Sequence, residues 1–175
     1  VLIDVKKYAY DGKSMLAGEY VTIEDIEKSI KSSSLKSRGI IEGDVVLIYT
    51  GWSDNYQDPD ESTLYYSMAP GIAYKLAEFL ASKKVVAVGL DTPFVDAVAD
   101  PNNPMPVPEG TPSNMVFPVH HYFLTQAGIH TLENFNLKKI SDDAVELSCV
   151  MILPLMVKGS SASSIRPVAI GPSIL

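Results

Sequence analysis

Short runs of consecutive apolar residues alternate with amphipathic stretches along most of this chain. Val1-Leu2-Ile3-Asp4-Val5 and Val45-Val46-Leu47-Ile48-Tyr49-Thr50 are apolar on both faces, the pattern of strands covered above and below. Val85-Val86-Ala87-Val88-Gly89-Leu90 repeats that pattern and ends on Asp91. Between the first two runs, Thr22-Ile23-Glu24-Asp25 has the form of a capping box, with Thr22 as N-cap and Asp25 at the third helical position. Ile23, Ile26 and Ile30 follow at helical spacing and predict a short amphipathic helix. Pro70-Gly71 introduces a second such set, Ile72, Leu76, Phe79 and Leu80. Val119 to Ala127 is a third helix, stopped by Gly128, and Ile129 to Leu132 is a short strand with Glu133 at its end. This strand–helix–strand order predicts α/β or α+β organisation.

The remainder is less regular. Tyr8 to Glu19 reads as irregular chain with turns at Asp11-Gly12 and Gly18, and Asp54 to Ser62 as a polar loop. From Asp96 to Pro118 no period survives, and Pro101, Pro104, Pro106, Pro108, Pro112 and Pro118 stiffen the segment. A loop of this length in a compact domain is a lid, an inter-subunit arm or surface decoration. Ser141-Asp142-Asp143 reads as a turn, Val145 to Val157 as the longest strand, Gly159 to Ser164 as a flexible stretch, and Ile165 to Ile170 as the last strand. No internal repeat or domain boundary interrupts the chain, so residues 1–175 read as a single domain.

Composition narrows the classes of partner. At 175 residues, 46% apolar and 20% charged, the chain can bury a real core and is not a disordered polymer. Its net charge is −7, and its basic residues are adjacent only as Lys6-Lys7, Lys83-Lys84 and Lys138-Lys139, so neither nucleic acid nor an anionic membrane is an expected partner. The longest strongly apolar run, Val150 to Val157, contains Pro154 and is too short to span a bilayer. The single cysteine, Cys149, excludes an internal disulfide, fits a reducing, cytoplasmic compartment, and reads as an inert thiol buried in a strand. The proline-rich loop and the apolar strands near Val157 point to a homo-oligomer.

Candidate chemistry is concentrated in one window. His120 to Asn134 holds all three histidines, His120, His121 and His130, and closes on Glu133-Asn134. Imidazole and carboxylate are ligands for divalent metals and perform acid–base chemistry near neutral pH. Helix neighbours point about 100° apart, so His120 and His121 cannot both face one small site. One faces inward, and the other supports it or packs elsewhere. Residue types alone favour a packed histidine pair over a metal site. Asp91 and Asp96 flank a turn at the end of a buried strand, where α/β ligand sites gather, although bonds within its own turn are the stronger reading for Asp91. Arg166 is a structural partner for one of these acids. Trp52, after a strand, either lines a pocket for a flat substrate or fills core. A Gly-rich phosphate loop, a zinc-type cysteine pair and a nucleophile elbow are all missing from the sequence.

Several segments taken in order resemble one family. They are Gly43 to Trp52, Pro70-Gly71-Ile72, Val88-Gly89-Leu90-Asp91-Thr92-Pro93-Phe94-Val95-Asp96, His120-His121 with Gly128-Ile129, Leu132-Glu133-Asn134-Phe135-Asn136-Leu137, and Ser164-Ile165-Arg166-Pro167-Val168-Ala169. Together they are similar to the cyclase family of metal-dependent hydrolases, which includes kynurenine formamidase and isatin hydrolase. The resemblance implies an α/β fold with a mixed sheet and flanking helices, and a divalent metal, zinc or manganese. It also implies hydrolysis of an amide-type bond, a formamide or cyclic amide, in a small-molecule substrate by a metal-activated water. The family's spacing selects His121 and Glu133 as metal ligands and leaves His120 as their catalytic neighbour. Trp52 and Phe94 become substrate-binding, with Phe94 standing where the family commonly has serine. The family's His-x-Gly-Thr-His-x-Asp-x-Pro-x-His motif has no match here. The chain is therefore expected to be the C-terminal part of a longer cyclase-family domain, to be completed by a motif on another chain, or else to be a non-catalytic binding or scaffold member.

Overall fold

The computed structural model describes residues 1–56 and 62–172. In chain order its elements are β1 (Leu2–Asp4), α1 (Val5–Tyr8), β2 (Tyr20–Val21), α2 (Ile23–Ser32), β3 (Val45–Tyr49), α3 (Ser62–Ser67) and β4 (Gly71–Ile72). There follow α4 (Tyr74–Ser82), β5 (Ala87–Leu90), α5 (Pro118–His121), β6 (His130–Leu132), α6 (Lys138–Asp142), β7 (Cys149–Met151) and β8 (Val168–Ile170). The doubly apolar runs are the strands β1, β3 and β5, which with β6 form a parallel sheet in the order β1-β3-β5-β6. Its register sets Ile3 beside Ile48, Val46 beside Val88, and Val88 beside Thr131. Parallel strands need crossovers; the intervening helices cover one face of the sheet, and the segment after β6 with the C-terminal ribbon covers the other. The mixing of strand directions falls outside this sheet: β2 and β4 pair parallel, whereas β7 and β8 form a separate antiparallel ribbon.

Side chains alternate across the sheet, which divides the core in two. Ile3, Ile48, Val88 and Leu90 pack with Ile26, Leu76, Leu80 and Phe123 on one face. Leu2, Leu47, Tyr49 and Leu132 pack with Phe135 and Leu137 on the other. Each such side chain contributes about 1.5–3 kcal/mol by leaving water. Helix α2 starts as its sequence predicts: Thr22 Oγ1 accepts from the Asp25 N–H at 3.2 Å, and Asp25 Oδ2 accepts from the Thr22 N–H at 2.9 Å.

Several boundaries differ from expectation. Val5 opens a helix because Asp4 accepts from the Lys7 N–H at 2.7 Å and caps it. Ile72 belongs to β4, and the helix begins at Tyr74. Ser141 and Asp142 lie inside α6. Trp52–Tyr56 is a short 3-10 turn within the expected polar loop, and residues 57–61 of that loop lie outside the described residues. The long strand expected over Val145 to Val157 contracts to β7. The ribbon packs only one face, through Val150 and Ile152, against the core cluster of Leu47 and Leu132, so Cys149 on its outer face is exposed and not buried, as are Leu153, Leu155 and Met156. From Ala97 to Phe117 the described backbone shows isolated bridges, Ala69 with Val98 and Asp100 with Asn103, and no helix or strand. Among the described residues no helix is long and apolar enough to cross a membrane.

Candidate active site

All four strands of the parallel sheet run the same way, so their carboxyl ends share one edge. Asp4 ends β1, and Thr50, Asp91 and Glu133 follow β3, β5 and β6 at that edge. Ligand sites of open α/β sheets form there. The two aspartates of the turn after β5 divide the work. Asp91 is fully buried and accepts from Thr50 N and Oγ1 at 2.8 and 2.7 Å, and from Ser53 N and Oγ at 3.2 Å each. Burial pushes its carboxyl up despite these donors. Asp91 thus ties the β5 corner to the β3 corner. Its partners are on the neighbouring strand's loop and not in its own turn.

Asp96 reaches forward instead. Helix α5 has Pro118 at its start and no side-chain cap of its own from Phe117. Asp96 supplies one from a distance: Oδ1 accepts from the Val119 N–H at 2.8 Å, and Oδ2 from the His120 N–H at 3.0 Å. A carboxylate at a helix start satisfies orphan donors. The same Oδ2 lies 2.9 Å from His120 Nδ1, and on the far side of the ring Nε2 lies 3.0 Å from Glu133 Oε1. Glu133 Oε1 also accepts from the Val95 N–H at 3.1 Å. The hydrogen bonds that the ring donates to Asp96 and then to Glu133 raise the His120 pKa to about 9 against the opposing effect of burial.

The pair facing Glu133 is therefore His120 and not His121. Beyond His121 the helix widens into a π-type turn over Tyr122–Ala127, closed by Gly128 at φ +67. His121 points outward, exposed, with its ring 3.3 Å from Thr125 Oγ1. Helix neighbours diverge, and the histidine facing the sheet edge is the one whose N–H Asp96 holds. His130 is exposed on β6. Trp52 is buried, its Nε1–H donating to the Tyr65 carbonyl at 3.3 Å, so it packs with Tyr65 and Ala69 in a small core cluster. Phe94 stacks on Phe117 with centroids 6.2 Å apart, and Phe117 meets the His120 ring edge-on at 6.1 Å. These two rings form an apolar wall beside the His120 ring. In the sequence Phe117 is one of several aromatic residues that suit a flat amide, and nothing there singles it out as the neighbour of His120. Arg166 is exposed and away from both aspartates' hydrogen bonds. Loop residues from Val107 to Val116 cover a small cavity of about 130 Å³ beside Asp96. That is below the usual size of a small-molecule pocket, about 300 Å³ and upward.

Imidazole nitrogen and carboxylate oxygen set 3.0 Å apart, with a carboxylate behind the imidazole, match the carboxylate–histidine–metal arrangement. Asp96 and Glu133 occupy opposite ring nitrogens, so His120 cannot bring both to one ion. Among the described residues no group of three His, Cys, Asp or Glu side chains converges on one point. The residues present fit two ligands of a metal centre and one supporting residue.

The family model Cyclase, described as "Putative cyclase", matches residues 1–97, which include Asp91 and Asp96. No curated protein matches the chain. Among solved structures, a novel cyclase shares the fold with a TM-score of 0.75 at 20% identity, over 97% of this chain and 52% of its own. Isatin hydrolase A from Ralstonia solanacearum does so at 0.70 and 19%, over 97% and 58%. A potential metal-dependent hydrolase with cyclase activity does so at 0.57 and 21%, over 99% and 64%. The chain spans 52–64% of the length of these relatives, and their likeness establishes an α/β fold with a parallel sheet flanked by helices.

Proposed function

The chain belongs to the cyclase family, and on that premise we propose that it is a metal-dependent hydrolase of an amide-type bond, with His120 and Glu133 holding a divalent ion, zinc or manganese. The observation that carries this reading is the 3.0 Å approach of His120 Nε2 to Glu133 Oε1 with Asp96 on the opposite ring nitrogen. Solved relatives that include an isatin hydrolase and a potential metal-dependent hydrolase support it. A bound divalent ion would lower the pKa of water and polarise a carbonyl.

The chain's own residues prepare the site. Asp96 retains the proton on Nδ1, so that Nε2 is the nitrogen that yields its proton and presents a lone pair. The Val95 N–H fixes Glu133 Oε1 at the strand end. With a pKa of about 9 and no ion present, His120 holds its proton at neutral pH and is no general base there. Phe94 and Phe117 offer a flat apolar wall, which suits a planar formamide or cyclic amide. Two protein donors are fewer than the three of a catalytic zinc centre, so the remainder of the donor set lies beyond this pair.

A second reading is a non-catalytic member of the family. It draws on the same ring: an imidazolium held by two carboxylates is already satisfied without an ion. Metal titration by calorimetry, with a formylated arylamine and a cyclic amide as substrates, separates the two. The hydrolase reading expects metal binding that His120→Ala and Glu133→Ala abolish and His121→Ala spares. Full metal content in the first two variants overturns the ligand assignment. A wild-type protein that binds no metal and hydrolyses neither substrate establishes the second reading.

A further inference from the structure

We propose that the Tyr65 hydroxyl, acting through the Asn134 side chain, is a positioning device for Glu133. The inference rests on the proposed metal pair for its consequence, but its geometry stands independently. Tyr65 lies on α3, is 1% exposed, and brings its hydroxyl to 3.1 Å from the Asp91 carbonyl and 3.1 Å from Asn134 Oδ1. A phenol has one proton and cannot donate to both oxygens. The consistent arrangement rotates the Asn134 amide: Tyr65 donates to the Asp91 carbonyl, and the Asn134 NH₂ donates to the phenol oxygen. Amide oxygen and nitrogen are assigned by such networks.

Asn134 is where that bond matters. It follows Glu133 and holds φ at +59, the left-handed region that asparagine tolerates better than most residues because its short side chain bonds locally. Its N–H donates to the Thr92 carbonyl at 2.9 Å, and the next N–H, of Phe135, to the Leu90 carbonyl at 3.1 Å. The chain thus turns sharply off β6 immediately after Glu133. The backbone bonds fix where the corner sits. The Tyr65 bond fixes its rotation, and with it the direction in which Glu133 leaves the strand toward His120. The buried Asp91 corner is the reference point, because it is already tied to Thr50 and Ser53.

The test uses Tyr65→Phe, which keeps the buried ring, and Asn134→Gly, which keeps the left-handed corner and removes the amide. The primary readout is the Nε2–H proton of His120 in metal-free protein, observed by NMR in its hydrogen bond to Glu133. Both variants should move that resonance and speed its exchange at least tenfold. Each should weaken zinc or manganese binding about 10–100-fold, and the double variant should be no worse than the worse single one. A purely structural role would lower the melting temperature without moving the resonance. If Tyr65→Phe does not fold, Asn134→Gly alone decides. A folded variant with wild-type resonance and wild-type affinity overturns the inference. Shifted resonances in a protein that binds no metal would uphold the positioning role and overturn the metal reading.

Discussion

Asp96 grips His120 twice across 24 residues, once at the backbone N–H (3.0 Å) and once at ring Nδ1 (2.9 Å). One carboxylate therefore starts the helix and orients the imidazole it presents. Asp96→Asn keeps the shape but offers one oxygen in place of two, so it cannot serve the Val119 N–H, the His120 N–H and Nδ1 together. The expected outcome is a His120 pKa that falls back toward its ordinary value, metal affinity reduced about 10–100-fold, and stability lowered by about 1–3 kcal/mol. NMR titration, calorimetry and urea unfolding read these in turn. An unchanged His120 titration would show that Asp96 does not govern the ring.

On the proposed hydrolase reading, protons and metal compete for Nε2. The folded pKa of His120, about 9, lies above its ordinary 6.5. Its contribution to the stability of the metal-free protein is fully present below pH 6.5 and is lost as pH rises through about 9. Metal affinity moves the other way, rising about tenfold per pH unit until the ring is neutral. Calorimetry at several pH values checks the slope. An affinity flat with pH below the His120 pKa would mean that the ion does not displace this proton.

Gly71 sets the position of Asp96 by being small. A Cβ at this residue would stand 2.2 Å from Ala97 N and 2.4 Å from the Asp96 carbonyl carbon. The close approach lets the Ile72 N–H reach the Val95 carbonyl at 2.8 Å and carries the 95–98 segment past β4. Gly71→Ala must push that backbone away, at about 1–3 kcal/mol, and should weaken metal binding by shifting Asp96. Thermal unfolding together with metal titration tests it. A lower melting temperature with unaltered affinity would confine the glycine to a packing role.

Much of this was legible because local physics decided it. The doubly apolar runs, the Thr22–Asp25 capping box and the Gly128 stop depend on residues close in sequence, and apart from Val5, which the Asp4 cap draws into a helix, each became the expected element or boundary. The α/β class followed from their order. The His120-to-Glu133 window was identifiable from residue types, but which histidine turns inward was not. That depends on Asp96, which caps the helix from outside it, and no spacing rule within the helix registers a remote cap. The C-terminal ribbon failed for the complementary reason. A continuous apolar run predicts a strand and not which of its faces is covered, so the exposure of Cys149 was invisible.

Glu146 joins distant parts of the chain and gives the last test. Its carboxylate accepts from the Tyr8 hydroxyl at 2.6 Å and the Ser34 N–H at 2.6 Å, while its carbonyl accepts from the Leu2 N–H at 2.8 Å. Burial pushes the carboxyl up, but the Ser34 and Tyr8 hydrogen bonds outweigh it and hold the pKa below its ordinary 4.5. A depressed carboxylate contributes stability above pH 4.5, and that contribution disappears as pH falls through the folded value. Glu146→Gln removes the charge and turns an amide donor toward one of two donors. It should lower stability by about 1–3 kcal/mol at neutral pH, and the gap to wild type should close in acid. Urea midpoints measured at neutral pH and at a pH below the folded pKa check both halves. A gap that persists undiminished in acid would mean that the charge does not hold these segments together.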